Sequence, residues 1–121
     1  MAGDLRAQLR EFALSLPEAA EDFPWGERVA KIRGKVFVFL GPDERKGPAV
    51  VTLKLVESHG HAMSIEGVEP TRYGLGRSGW VNVPLDAEDL TPDLLRDWVE
   101  ESYRIVAPKR LVAELDGRSQ A

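Results

Sequence analysis

Phe23-Pro24-Trp25-Gly26 leads, through Glu27, into Arg28-Val29-Ala30-Lys31-Ile32-Arg33-Gly34-Lys35-Val36-Phe37-Val38-Phe39-Leu40. Pro24 fixes its own backbone, Trp25 offers a large anchoring surface, and Gly26 permits a turn that other residues resist. Two strands are expected next, near 28–33 and 35–40, joined at Gly34. The run Val36 to Leu40 is apolar at every position and rich in aromatics. That pattern predicts a central strand buried on both faces.

Outward from this hairpin the chain carries a helix signal on the N-terminal side, and several strand signals and then helix signals on the C-terminal side. Leu5, Leu9, Phe12, Ala13 and Leu16 recur at helical spacing, with Asp4 as the expected N-cap and Pro17 as the stop. Gly41 to Pro48 reads as a polar hairpin loop. Ala49, Val51, Leu53 and Leu55 then place a core face on the odd positions of a strand. A short helix is expected between Glu57 and Met63, weakened by Gly60. Trp80 to Leu85 reads as another strand. Thr91-Pro92-Asp93 is a strong helix start, with Leu94, Leu95, Trp98, Val99, Ser102, Ile105 and Val106 as the buried face. Pro108 breaks that helix. A short helix from Lys109 to Leu115 follows, and fraying is expected from Asp116. There is no regular strand–helix alternation, so the expected fold is α+β, an antiparallel sheet flanked by N- and C-terminal helices. One domain over residues 1–121 is expected, since the length suits a single core.

Composition bounds the chemistry. The chain has no cysteine, which removes disulfides, thiolate metal sites and cysteine nucleophiles, and fits a reducing cytoplasm. No signal-peptide pattern or membrane-spanning apolar run is present, so a soluble cytoplasmic protein is expected. Net charge is −4, but residues 28–54 carry seven bases against two acids inside an otherwise acidic chain. A basic surface able to meet phosphate accounts for that segment, and so does a solvated sheet face.

Leu16-Pro17, Glu21, Phe23-Pro24-Trp25-Gly26, Gly34-Lys35-Val36-Phe37, Leu53-Lys54, Gly79-Trp80-Val81 and Ser102-Tyr103 follow one another in an order that resembles the MmcQ/YjbR family of small bacterial proteins. The resemblance spans Leu5 to Leu115. It implies a fold similar to the bacterial frataxin (CyaY-like) architecture, and the family's label of a DNA-binding protein with a double-wing arrangement. It supplies no catalytic residues, and likeness of fold does not carry iron binding with it.

On the DNA reading, Arg28, Lys31, Arg33 and Lys35 on adjacent strands, Arg45 and Lys46 at a hairpin tip, and Arg72 and Arg77 in a glycine-rich loop would contact phosphates. The two loops would be the wings, and Trp25 or Tyr73 would add stacking. The alternative is a protein- or small-ligand-binding module using the Trp25/Tyr73/Trp80 region. Other motifs carry less. Gly74-Leu75-Gly76-Arg77-Ser78-Gly79 matches a dinucleotide fingerprint in letters, but a strand follows it where a helix is required. His59 and His61 form an incomplete metal-ligand set. Ser15, Ser58, Ser64, Ser78 and Ser102 lie in no nucleophile elbow. No enzyme activity, cofactor or metal is therefore expected.

Overall fold

The computed structural model describes residues 2–43, 47–72 and 74–120. Among them one sheet forms, with strand order β1-β2-β3-β4-β6-β5 and antiparallel pairing at every ladder. The strands are β1 (Ala20–Asp22), β2 (Arg28–Ile32), β3 (Lys35–Gly41), β4 (Val50–Lys54), β5 (Glu69–Pro70) and β6 (Trp80–Pro84). The helices are α1 (Ala2–Leu14), α2 (His59–Met63), α3 (Pro92–Val106) and α4 (Lys109–Gln120). This is the α+β architecture expected from the sequence.

The β2–β3 hairpin turns on Arg33 and Gly34, with φ of 53° and 80°. Positive φ at both central residues matches the twist of two-residue hairpins, and glycine adopts it without strain. The β3 run departs from the regular alternation of a strand. Lys31 pairs with Val36 and Ala30 with Val38, which leaves Phe37 as an inserted residue. A bulge of this kind turns two neighbouring side chains toward one side. Phe37 and Val38 are accordingly both fully buried in the core, while Val36 and Phe39 are only partly buried. The continuous apolar run thus marks a bulged strand, not one covered on both faces.

Helices α1 and α3 pack on each other and on the same side of the sheet, α1 against β2 and β3, α3 against β3 and β4. Leu9, Ala13, Val38, Leu53, Val81, Leu95, Trp98 and Val99 meet in this layer at 0–1% exposure. Thr91 caps α3 as expected, its Oγ1 accepting from the Leu94 N–H at 3.1 Å. Two expectations at the ends are corrected. Helix α1 begins at Ala2, so Asp4 lies inside its first turn. Helix α4 runs on to Gln120, because Asp116 pairs with Arg104 at 2.6 Å and Arg118 donates to the Ser15 carbonyl at 2.8 Å.

Two adjacent residues fasten α3 to the sheet. Tyr103 meets Phe37 edge to face at 5.3 Å and donates its hydroxyl to the Pro17 carbonyl at 2.7 Å. Ser102 is fully buried; its hydroxyl donates to the Phe37 carbonyl and accepts from the Lys54 N–H at 2.9 Å. Sequence reasoning places Ser102 on the buried face of its helix, and the structure adds this bridge between β3 and β4. Ser102→Ala leaves a buried donor and a buried acceptor unpaired. We expect it to cost about 1–3 kcal/mol. Urea unfolding should show a lower midpoint at unchanged slope, whereas Ser78→Ala on the exposed loop should stay within about 0.5 kcal/mol of the parent.

Candidate functional site

The cations singled out by the sequence do not form one surface. Arg28 lies on the helix side of the sheet, beside Val29, whose side chain points the other way. It bonds the Glu21 carboxylate at 2.6 Å and the Asp43 carboxylate through two nitrogens, and its guanidinium lies 4.9 Å above the Phe23 ring. Asp43 also accepts from Arg6 at 3.0 Å, and Glu21 from Arg10. Arg6 further donates to the Leu40 and Gly41 carbonyls, both at 2.7 Å. Five charged side chains thus tie α1 to β1, β2 and the end of β3. The hydrogen bonds from Arg28 and Arg6 hold the Asp43 carboxyl well below the usual range, and those from Arg10 and Arg28 lower Glu21. Lys31 pairs with Asp22 at 2.7 Å, and Arg33 with Glu18 at 3.0 Å. Each of these cations must trade a carboxylate for a phosphate before it can bind one.

Lys35, Arg72 and Arg77 are exposed and have no ion-pair partner among the described residues. Lys35 stands at the β2–β3 hairpin end. Arg72 and Arg77 stand in the connection between β5 and β6. That connection is compact: a 3₁₀ turn at Leu75–Ser78 leads to Gly79, where a Cβ would lie 2.4 Å from the Leu55 carbonyl oxygen. Glycine is required there by close approach as well as by a φ of 99°. Arg45, Lys46 and Tyr73, and the side chain of Trp25, lie outside the described residues.

The sheet face turned away from α1 and α3 brings together a different set. Cross-strand register places Phe39, Thr52, Asn82 and Glu69 in one row across four strands. Lys54 and Trp80 form the next pair. All of these are partly or fully exposed. Phe39 and Trp80 meet edge to face at 5.6 Å. The Lys54 ammonium has no ion-pair partner among the described residues. The Asn82 Oδ1 accepts from the Thr52 hydroxyl at 2.8 Å and the Thr71 hydroxyl at 3.0 Å. An aromatic pair, a free ammonium and a fixed amide therefore share one open surface.

The YjbR family model matches residues 14–105. The chain belongs to the YjbR family. A crystal structure of a Deinococcus radiodurans protein bearing the family-model domain DUF419 is similar at a TM-score of 0.65 and 24% identity, over 81% of this chain and 75% of that one. A Pseudomonas syringae protein is similar at a TM-score of 0.64 and 21% identity, over 84% of this chain and 97% of that one. At these identities the two structures share the fold. No curated protein matches the chain.

Within this YjbR fold, sequence reasoning missed Phe39, Lys54, Asn82 and Glu69 as surface groups. Phe39 was hidden in an apolar run that the bulge later divides. Lys54 was legible in part, since the core face of β4 on odd positions puts Thr52 and Lys54 on the other side. No described helix is long and apolar enough to cross a membrane.

The depressed carboxyls of Asp43 and Glu21 stabilise the fold above the ordinary unfolded carboxylate value, and that contribution is lost as pH falls through their lowered folded values. Thermal stability should therefore decline on acidification, mainly below about pH 4. Asp43→Asn should melt lower than the parent at neutral pH and lose less on acidification. Melting curves by circular dichroism across pH check both; parallel curves for the two proteins would contradict this role.

Proposed function

We propose that this protein is a non-catalytic nucleic-acid-binding module that takes a single strand, DNA in the first instance, across the helix-free face of its sheet. The Phe39–Trp80 pair beside Lys54 carries this reading. Bases unstacked from a duplex lie on aromatic side chains, and cations beside them follow the phosphates. Lys35, Arg72 and Arg77, exposed and without ion-pair partners among the described residues, extend the cationic rim. Arg28, Lys31 and Arg33 contribute less on this reading, because their carboxylate partners neutralise them. The net charge of −4 fits a local grip on a single strand better than long-range attraction to a duplex.

A second reading, an apolar protein or ligand partner on the same face, draws on Val36, Val50 and Pro84, which are partly exposed there. Salt separates the two. Phosphate contacts weaken as salt rises, whereas apolar recognition hardly responds.

Fluorescence anisotropy with labelled single-stranded and duplex DNA at two salt concentrations tests the proposal. Single strands should bind more tightly than duplex, and binding should weaken with salt. Trp80→Ala should lose about 1–3 kcal/mol of affinity, the worth of one stacked base. Lys54→Gln should reduce the salt slope by about one. Absence of binding at low salt, or equal binding by folded Trp80→Ala, would refute the reading.

A further inference from the structure

The row that crosses the open face pairs a hydrogen-bond donor with an acceptor at its β5–β6 end. Asn82 and Glu69 are direct cross-strand partners. Such partners hold their Cβ atoms about 4.5–5.5 Å apart on one side of the sheet. The Asn82 amide is fixed by its oxygen, which accepts from Thr52 and Thr71. Its Nδ2 group keeps two donors with no partner among the described residues. The Glu69 carboxylate is exposed, has no ion-pair partner among the described residues, and offers two acceptor oxygens. Trp80 lies two residues along β6 on the same face, with Lys54 opposite it.

This combination is selective. Among the four DNA bases, guanine alone presents two side-by-side N–H donors, N1–H and the exocyclic amine, next to a carbonyl acceptor. Two parallel donors fit the two oxygens of one carboxylate, and the neighbouring carbonyl fits an amide donor. Adenine, cytosine and thymine each lack the second parallel donor. We propose that Asn82 and Glu69 form a guanine-reading site, in which Glu69 accepts from N1–H and the exocyclic amine, Asn82 Nδ2 donates to O6, and the base stacks on Trp80. Lys54 meets the adjoining phosphate. Glu69 also has a second effect: its negative charge disfavours phosphates at this end of the row, so a strand without guanine gains nothing there. The inference rests on single-strand binding across this face and adds the base that it selects.

The test is anisotropy with labelled nonamers of deoxycytidine whose central residue is guanine or adenine, measured with the full chain. The guanine nonamer should bind about tenfold more tightly than the adenine one. Glu69→Gln should abolish that preference while raising affinity for the adenine nonamer, because a negative charge leaves the face. A merely structural Glu69 would not separate those two effects. Asn82→Ala should reduce the preference at unchanged affinity for adenine. Equal binding of the two nonamers by the parent protein overturns the guanine site and leaves single-strand binding standing. Failure of both nonamers to bind at low salt overturns both. A preference that survives in folded Glu69→Gln also overturns the site as drawn.

Discussion

The buried hydroxyl of Ser102 holds the structure in register at its centre. It joins helix α3 to the Phe37 carbonyl on one strand and to the Lys54 N–H on the next. The contact falls at the bulge, where β3 has an inserted residue and the regular ladder with β2 is interrupted. A helix side chain thus supplies a partner beside a break in the sheet. With α3 fixed here and α1 packed beside it, the core fills on one face. On the opposite face Val29 is buried, but Phe39, Thr52, Lys54, Trp80 and Asn82 stay partly exposed, and the candidate site follows from that asymmetry.

The same asymmetry sorts the charges. On the helix side, Arg6, Arg10 and Arg28 share Asp43 and Glu21 and serve to tie α1 to the sheet. Isolated exposed ion pairs contribute little, but this set shares its members and adds bonds to the Leu40 and Gly41 carbonyls. On the open side Lys54 stands unpaired among the described residues beside an aromatic pair. A basic stretch of sequence is thereby divided into cations that hold the fold and cations that remain free for a partner.

Much of the fold was legible in the sequence because its signals are local. Pro17 and Pro108 end helices, Thr91-Pro92-Asp93 starts one, and the Arg33-Gly34 turn separates two strands. Period-two patterning located β4 and its buried side. The site was less legible because it depends on pairing between distant residues. Nothing in the run Val36 to Leu40 reveals that an insertion at Phe37 turns Phe39 toward the open face. Nothing near Arg28 reveals that Asp43, fifteen positions away, neutralises it. Asn82 and Glu69 become neighbours only through the β5–β6 register.

A single strand lying across the sheet face away from α1 and α3 would perturb that face and leave the core and the Arg28–Asp43 side undisturbed. Nuclear magnetic resonance titration of the isotopically labelled protein with an unlabelled single-stranded nonamer tests it most directly. Shifts should be confined to β3, β4, β5 and β6 positions on that face and to the β5–β6 connection, with the Trp80 indole N–H moving. The indole of Trp98, buried in the core with its N–H unpartnered among the described residues, should stay in place. Shifts clustered instead on α1 and the Arg28–Asp43 side, or none at saturating oligonucleotide, would contradict it.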